Sequence, residues 1–169
     1  MCYTGINGWY EKGGEALEKR TRRTEVPVVI HLILATQDVT EVFRLAAEVM
    51  PGDEEVAVAE SAVRTTNEAL IKGLCELLAE HDKQPPSAVP GAELPSIVVS
   101  ARGLVKESKV SAFSAMYASM VALQEYCNSV QVLDLSPALM HMLDQQVEFV
   151  DEYRVRLLER YRELSTEAS

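Results

Sequence analysis

The sequence predicts an all-α protein: an antiparallel up-down four-helix bundle preceded by an irregular N-terminal arm. Three observations lead there. Four long segments each carry one apolar stripe with alternating spacings of three and four, the period of a helix. Strong break signals separate them: Met50-Pro51-Gly52-Asp53, a proline-rich run at 83–95, and Leu135-Ser136-Pro137. No stretch shows a strand signal that competes with these helices. At 169 residues the chain fits one domain of roughly 150 residues. A domain of this size buries about 68–70 % of its unfolded surface, enough to fold without a disulfide or metal.

Taken in order, residues 1–23 read as the arm. Gly5, Asn7 and Gly8 break its first ten residues, and Tyr3, Trp9 and Tyr10 need somewhere to pack. Glu11 to Arg23 is expected to form a short polar helix, weakened at its start by Gly13 and Gly14. Residues 24–169 form the bundle. Segment one runs from about Val28 to Met50 on Leu32, Ala35, Val39, Val42, Ala46 and Val49. Its start is blurred by the β-branched, proline-interrupted stretch Thr24 to Val29. Pro51 disfavours helix at Met50, and Asp53 is placed to cap segment two, with Glu54 and Glu55 at the positive end of its dipole.

Segment two, about Glu54 to Asp82, carries Val56, Ala59, Val63, Leu70, Leu74 and Leu77, with Asn67 inside the stripe. The linker at 83–95 holds four prolines and one glycine, which suits an extended path along the bundle or over its end. Segment three, about Ser96 to Val130, is rich in Ser and Ala, a composition that permits close helix approach. Gly103 is placed to kink or split it. Segment four opens on Ser136 as N-cap and Pro137 at the first helical position, where a missing N–H costs nothing. It then runs to about Leu164, roughly 42 Å at 1.5 Å per residue. Its stripe is Leu143, Val147, Val150, Leu157, Tyr161 and Leu164, with Arg154 inside it.

Charge narrows the partners. The net charge is −10, and a duplex-binding domain normally shows a basic footprint instead. Residues 1–23 nevertheless carry +2, through Lys12, Lys19, Arg20, Arg22 and Arg23, while Glu25 to Glu60 carries −7. An arm of that sign is expected to lie against an acidic surface, its own or a neighbour's. The expectation is a protein partner or a second copy, with neither nucleic acid nor membrane. The longest apolar run, Val26 to Ala35, is interrupted by Pro27 and His31 and falls short of the ~20 residues of a span. Cys2, Cys75 and Cys127 form no C-x-x-C, and no apolar leader segment is visible, which points to a cytoplasmic setting.

Catalytic signatures are missing. There is no P-loop, G-x-G-x-x-G, G-x-S-x-G or H-E-x-x-H. The positions three before His31, His81 and His141 are Val28, Leu78 and Ala138, so the Glu-x-x-His pair of di-iron bundles is absent. No cofactor is predicted. One metal candidate stands: His141, Asp144 and Glu148 share a helix face, and would need a carboxylate such as Glu60, Glu68 or Glu125 from another helix. His31 and Asp38, two turns apart, form a second His–carboxylate candidate. Asn67 reads as a register-setting polar residue, and Arg154 as a side chain with a packed stem and a wet head. The functional expectation is a non-catalytic bundle acting by protein binding or self-assembly. Trp9, Tyr10, Phe43 and Ile71 are the expected interface, because they exceed what one stripe per helix buries. The alternative is a metal-binding or oxidoreductase bundle of ferritin-like shape built on the His141 set.

Overall fold

The computed structural model describes the backbone of residues 7–168 and the side chains of residues 23–168. Five helices and no strand occur among the described residues: α1 (Asn7–Val49), α2 (Glu54–Glu80), α3 (Pro95–Leu104), α4 (Lys109–Val130) and α5 (Pro137–Glu167). Local chemistry sets most of their ends. Asp53 is extended and accepts from the Val56 N–H at 3.1 Å, Ser108 from Ser111 at 3.1 Å, and Ser136 from Leu139 at 3.2 Å. Each bond satisfies one N–H that a helix start leaves without a partner, worth about 1 kcal/mol. Gly52 sits at φ +86°, a backbone that favours glycine, and turns the chain between α1 and α2.

One expectation about helix bounds is corrected. The short polar helix expected from Glu11 to Arg23 and segment one are not separate: α1 is one continuous helix from Asn7, running without a break across residues 23 and 24. Glycines at 13 and 14 each cost about 1 kcal/mol. The packed half of α1 supplies the nucleus from which helix propagates backward at little further cost. Pro27 sits inside α1. Its ring removes the bond to the carbonyl of Arg23, an exposed residue where water can replace it. Segment three is two helices, the split that Gly103 suggested, divided after Leu104, and the Ser108 cap restarts the helix.

Cross-chain contacts at the two ends set the direction of each helix. At one end, which we call the base, Glu25 of α1 meets Ser136 at the start of α5 and His81 just after α2. At the other end Lys109 of α4 bonds Asp53 at 2.9 Å and Glu55 at 2.5 Å, and Arg160 of α5 reaches Glu55 at 3.1 Å. Neighbouring long helices therefore run in opposite directions, but α2 and α4 both start at the end away from the base. The order is up-down-down-up and not the up-down alternation expected, because the proline-rich linker and α3 carry the chain back along α1 before α4 begins. α1 packs on α2 and α4, and α5 packs on α4 and more sparsely on α2. α3 lies against both α1 and α4.

The core is one continuous cluster. Leu32, Ala35, Val39, Val42, Phe43 and Ala46 of α1 are buried against Val56, Val63, Leu74 and Leu78 of α2 and Leu139, Leu143, Val150 and Leu157 of α5. Phe113, Met116, Met120, Leu123 and Cys127 complete it from α4. The small residues Ala112, Ala115 and Ser119 are buried too, the close approach that α4's composition predicted. The stretch Arg23–Val49 is long and apolar enough to cross a membrane by length and composition alone. More than half of its most apolar window is buried on the other helices.

Candidate functional site

Between α2 and α5 the helices part and leave an open groove of about 590 Å³. Thr65, Thr66, Ala69, Leu70 and Gly73 line it from α2, and His141, Met142, Gln145 and Gln146 from α5. At its basal edge the helices close up. A Cβ on Gly73 would lie 3.4 Å from the Met142 Cε, in van der Waals contact with it. Apolar walls with scattered hydrogen-bonding groups suit an aliphatic or aromatic side chain that has a polar tip.

A buried amide network backs the groove. Gln146, nearly fully buried, donates from Nε2 to the Asn67 Oδ1 at 3.3 Å. Asn67 donates from Nδ2 to the Thr40 Oγ1 at 2.9 Å, and Thr40 donates to the Thr36 carbonyl at 2.9 Å. The chain of bonds joins α5, α2 and α1. A buried amide has few alternative partners, so this network pins the relative register of the three helices, the role its place in the stripe suggested for Asn67.

The linker is fastened by a carboxylate. Asp38, fully buried on α1, accepts the backbone N–H groups of Gly91 at 2.6 Å, Glu93 at 2.9 Å and Leu94 at 2.7 Å. His31 Nδ1 lies 2.7 Å from Glu93 Oε2 on the same strap. His31 and Asp38 thus serve the linker separately and do not form a pair with each other. Gly91 at φ +84° bends the backbone so that successive N–H groups turn toward the carboxylate. Sequence reasoning missed this anchor. Its only signal was an aspartate set directly before Val39 in an apolar helix.

The proposed ligand set is not assembled into a centre. His141, Asp144 and Glu148 are all exposed on α5, and the Asp144 carboxylate accepts from Gln131 at 2.9 Å. Glu60 and Glu68 are turned to Arg64, at 2.9 and 3.6 Å. Among the described residues no group of three or more His, Cys, Asp and Glu is arranged to hold a metal ion. His141 lines the groove instead.

The interface set divides. Phe43 is a core residue, fully buried with its ring centroid 6.3 Å from that of Tyr153, and offers no free surface. The diagonal from α1 to α5 across the bundle leaves room for both rings, which a count of stripes could not reveal. Ile71 is half-buried against the core. The side chains of Trp9 and Tyr10 lie outside the described residues. Arg154 holds Asp151 at 2.8 Å while its Nε is buried without a partner, so its stem packs as its stripe position implied.

The shifted titrations belong to surface pairs and to buried thiols and tyrosines. Hydrogen bonding to Lys109 holds the carboxyls of Asp53 and Glu55 below their usual range. Burial pushes the Cys127 thiol up to about 12 and raises that of Cys75. Neither cysteine has the depressed pKa of a reactive thiol. Compared with protein-family models, curated proteins and solved structures, the chain matches none.

Proposed function

We propose that this chain is an antiparallel four-helix bundle that works by protein–protein binding, in the first place to itself, in a cytoplasmic setting. The observation that carries the reading is the length of α1. It has 43 residues against 27 in α2, the helix packed along it. The surplus corresponds to about 24 Å of helix at 1.5 Å per residue. Glu25 is level with the end of α2 and the start of α5, so the helical backbone before it continues past the base. A helix carried beyond its own bundle has backbone order that solvent alone seldom sustains, because isolated helices of this length are marginal. A second protein surface supplies the missing packing.

Two further observations support the reading. The basic cluster of residues 19–23 sits on that extension, while the body is acidic. Apolar side chains also stand open on the body, Val58 at 61 %, Val99 at 67 % and Val132 at 84 % exposed. Light scattering across micromolar concentrations tests the proposal. A mass above that of one chain, reduced when residues 1–23 are deleted, is the expected result. A monomeric mass with and without the deletion would overturn it.

A further inference from the structure

We infer that the groove between α2 and α5 receives the N-terminal end of α1 from a second copy of this chain, with Trp9 as the side chain it takes. This rests on the self-assembly proposed above and adds where the contact is made. The argument is one of reach. From Glu25 at the base, Trp9 lies 16 positions back along α1, about 24 Å of helix. From His81 at the same base, the groove residues Gly73 to Thr65 lie 8 to 16 positions back along α2, about 12–24 Å. Two copies set base to base therefore bring Trp9 of each beside the groove of the other. The exchange is the same in both directions, as a closed two-fold dimer requires, and the mode is a helix laid into a groove.

The register is consistent along the whole contact. The incoming helix runs parallel to α2, so equal rises pair successive levels. With Trp9 near Thr65, Gly13 and Gly14 fall near Ala69 and Leu70, where two backbones approach closely only if one side is bare. Leu17 falls near Gly73, beside the Met142 side chain. Lys19 and Arg20 fall near Glu76, and Arg22 and Arg23 near Glu80, both exposed glutamates on the line from the groove to the base. Opposite charges at the rim fix orientation and speed encounter more than they add affinity. The groove suits an indole: Leu70 and Met142 offer apolar contact, and Thr66, His141 and Gln146 offer hydrogen-bonding groups for its N–H.

Trp9 is the single tryptophan, so its emission reports this site directly. Mass by light scattering and tryptophan emission are measured together for the full chain, Trp9→Ala and Ala69→Arg. Ala69 is exposed, so arginine there fills the groove without disturbing the core. The expected result is a dimer with blue-shifted emission that shifts to the red on dilution. Ala69→Arg should red-shift it too, and each variant should weaken association about 30-fold per contact, on the order of 10³-fold for the two equivalent contacts of the dimer, the scale of a hot-spot side chain lost from each copy. Mixing the two variants should recover part of the association, because one intact Trp9–groove contact remains. A dimer unchanged by either variant would overturn the groove contact while leaving self-assembly standing. A monomer at every concentration would overturn both.

Discussion

Asp38→Ala probes the anchor that ties the linker to the bundle. In the native protein one fully buried carboxylate accepts three N–H groups at 2.6–2.9 Å. Hydrogen bonds to a charged group contribute about 1.5–3 kcal/mol each, so the gross loss is about 4.5–9 kcal/mol. Two effects offset it. Removing the carboxylate also removes its own desolvation cost, several kcal/mol. The freed N–H groups of Gly91, Glu93 and Leu94 lie in half-buried residues that water can reach. The net expected cost is about 2–4 kcal/mol, a fall in Tm of about 4–16 °C for a chain of this size. Urea unfolding followed by circular dichroism measures it, and limited proteolysis of residues 83–95 reports the strap itself. Asp38→Ala should be cut there faster than the wild type. His31→Ala removes only an exposed contact on the same strap and should cost about 0–1 kcal/mol. A loss at Asp38 no larger than at His31, with unchanged cleavage, would refute the anchor.

Leu157, almost fully buried in mid-α5, should lose about 2–5 kcal/mol on truncation to Ala. Glu159→Ala on the exposed side should stay within about 0.5 kcal/mol, and equal losses in urea melts would mean the packed face of α5 is misassigned. Lys109→Met should make the protein less stable at neutral pH by an amount that holds constant down to about pH 5 and shrinks below about pH 4. Asp53 and Glu55 have folded pKa values below their unfolded ones, so their contribution is present above the unfolded value and disappears as they protonate. A difference that grows toward acid would contradict that origin. In a Cys2→Ser background, Cys127 should react with a thiol reagent only on unfolding, and Cys75 well before it, read as two kinetic phases. A single fast phase for both would show that α4 does not bury Cys127.

Much of the helical order is local and was legible without coordinates. Asp53 and Ser136 announce helix starts because a short oxygen-bearing side chain reaches an N–H three residues on, whatever surrounds it. The stripes on α1, α2 and α5 follow from the helix period alone. The length of α1 was not legible. Gly13, Gly14 and Pro27 each oppose helix locally, and the packed turns downstream override them. The strap on Asp38, the network through Asn67 and Gln146, and the burial of Phe43 against Tyr153 all join residues distant in sequence. The α2/α5 groove is of the same kind: its walls are ordinary helix positions, and it exists because α2 and α5 close at Gly73 and Met142 and part beyond them. Periodicity tells which face of a helix turns inward. Which two faces meet, and where they leave a gap, depends on the sizes of facing side chains, and only the tertiary structure decides that.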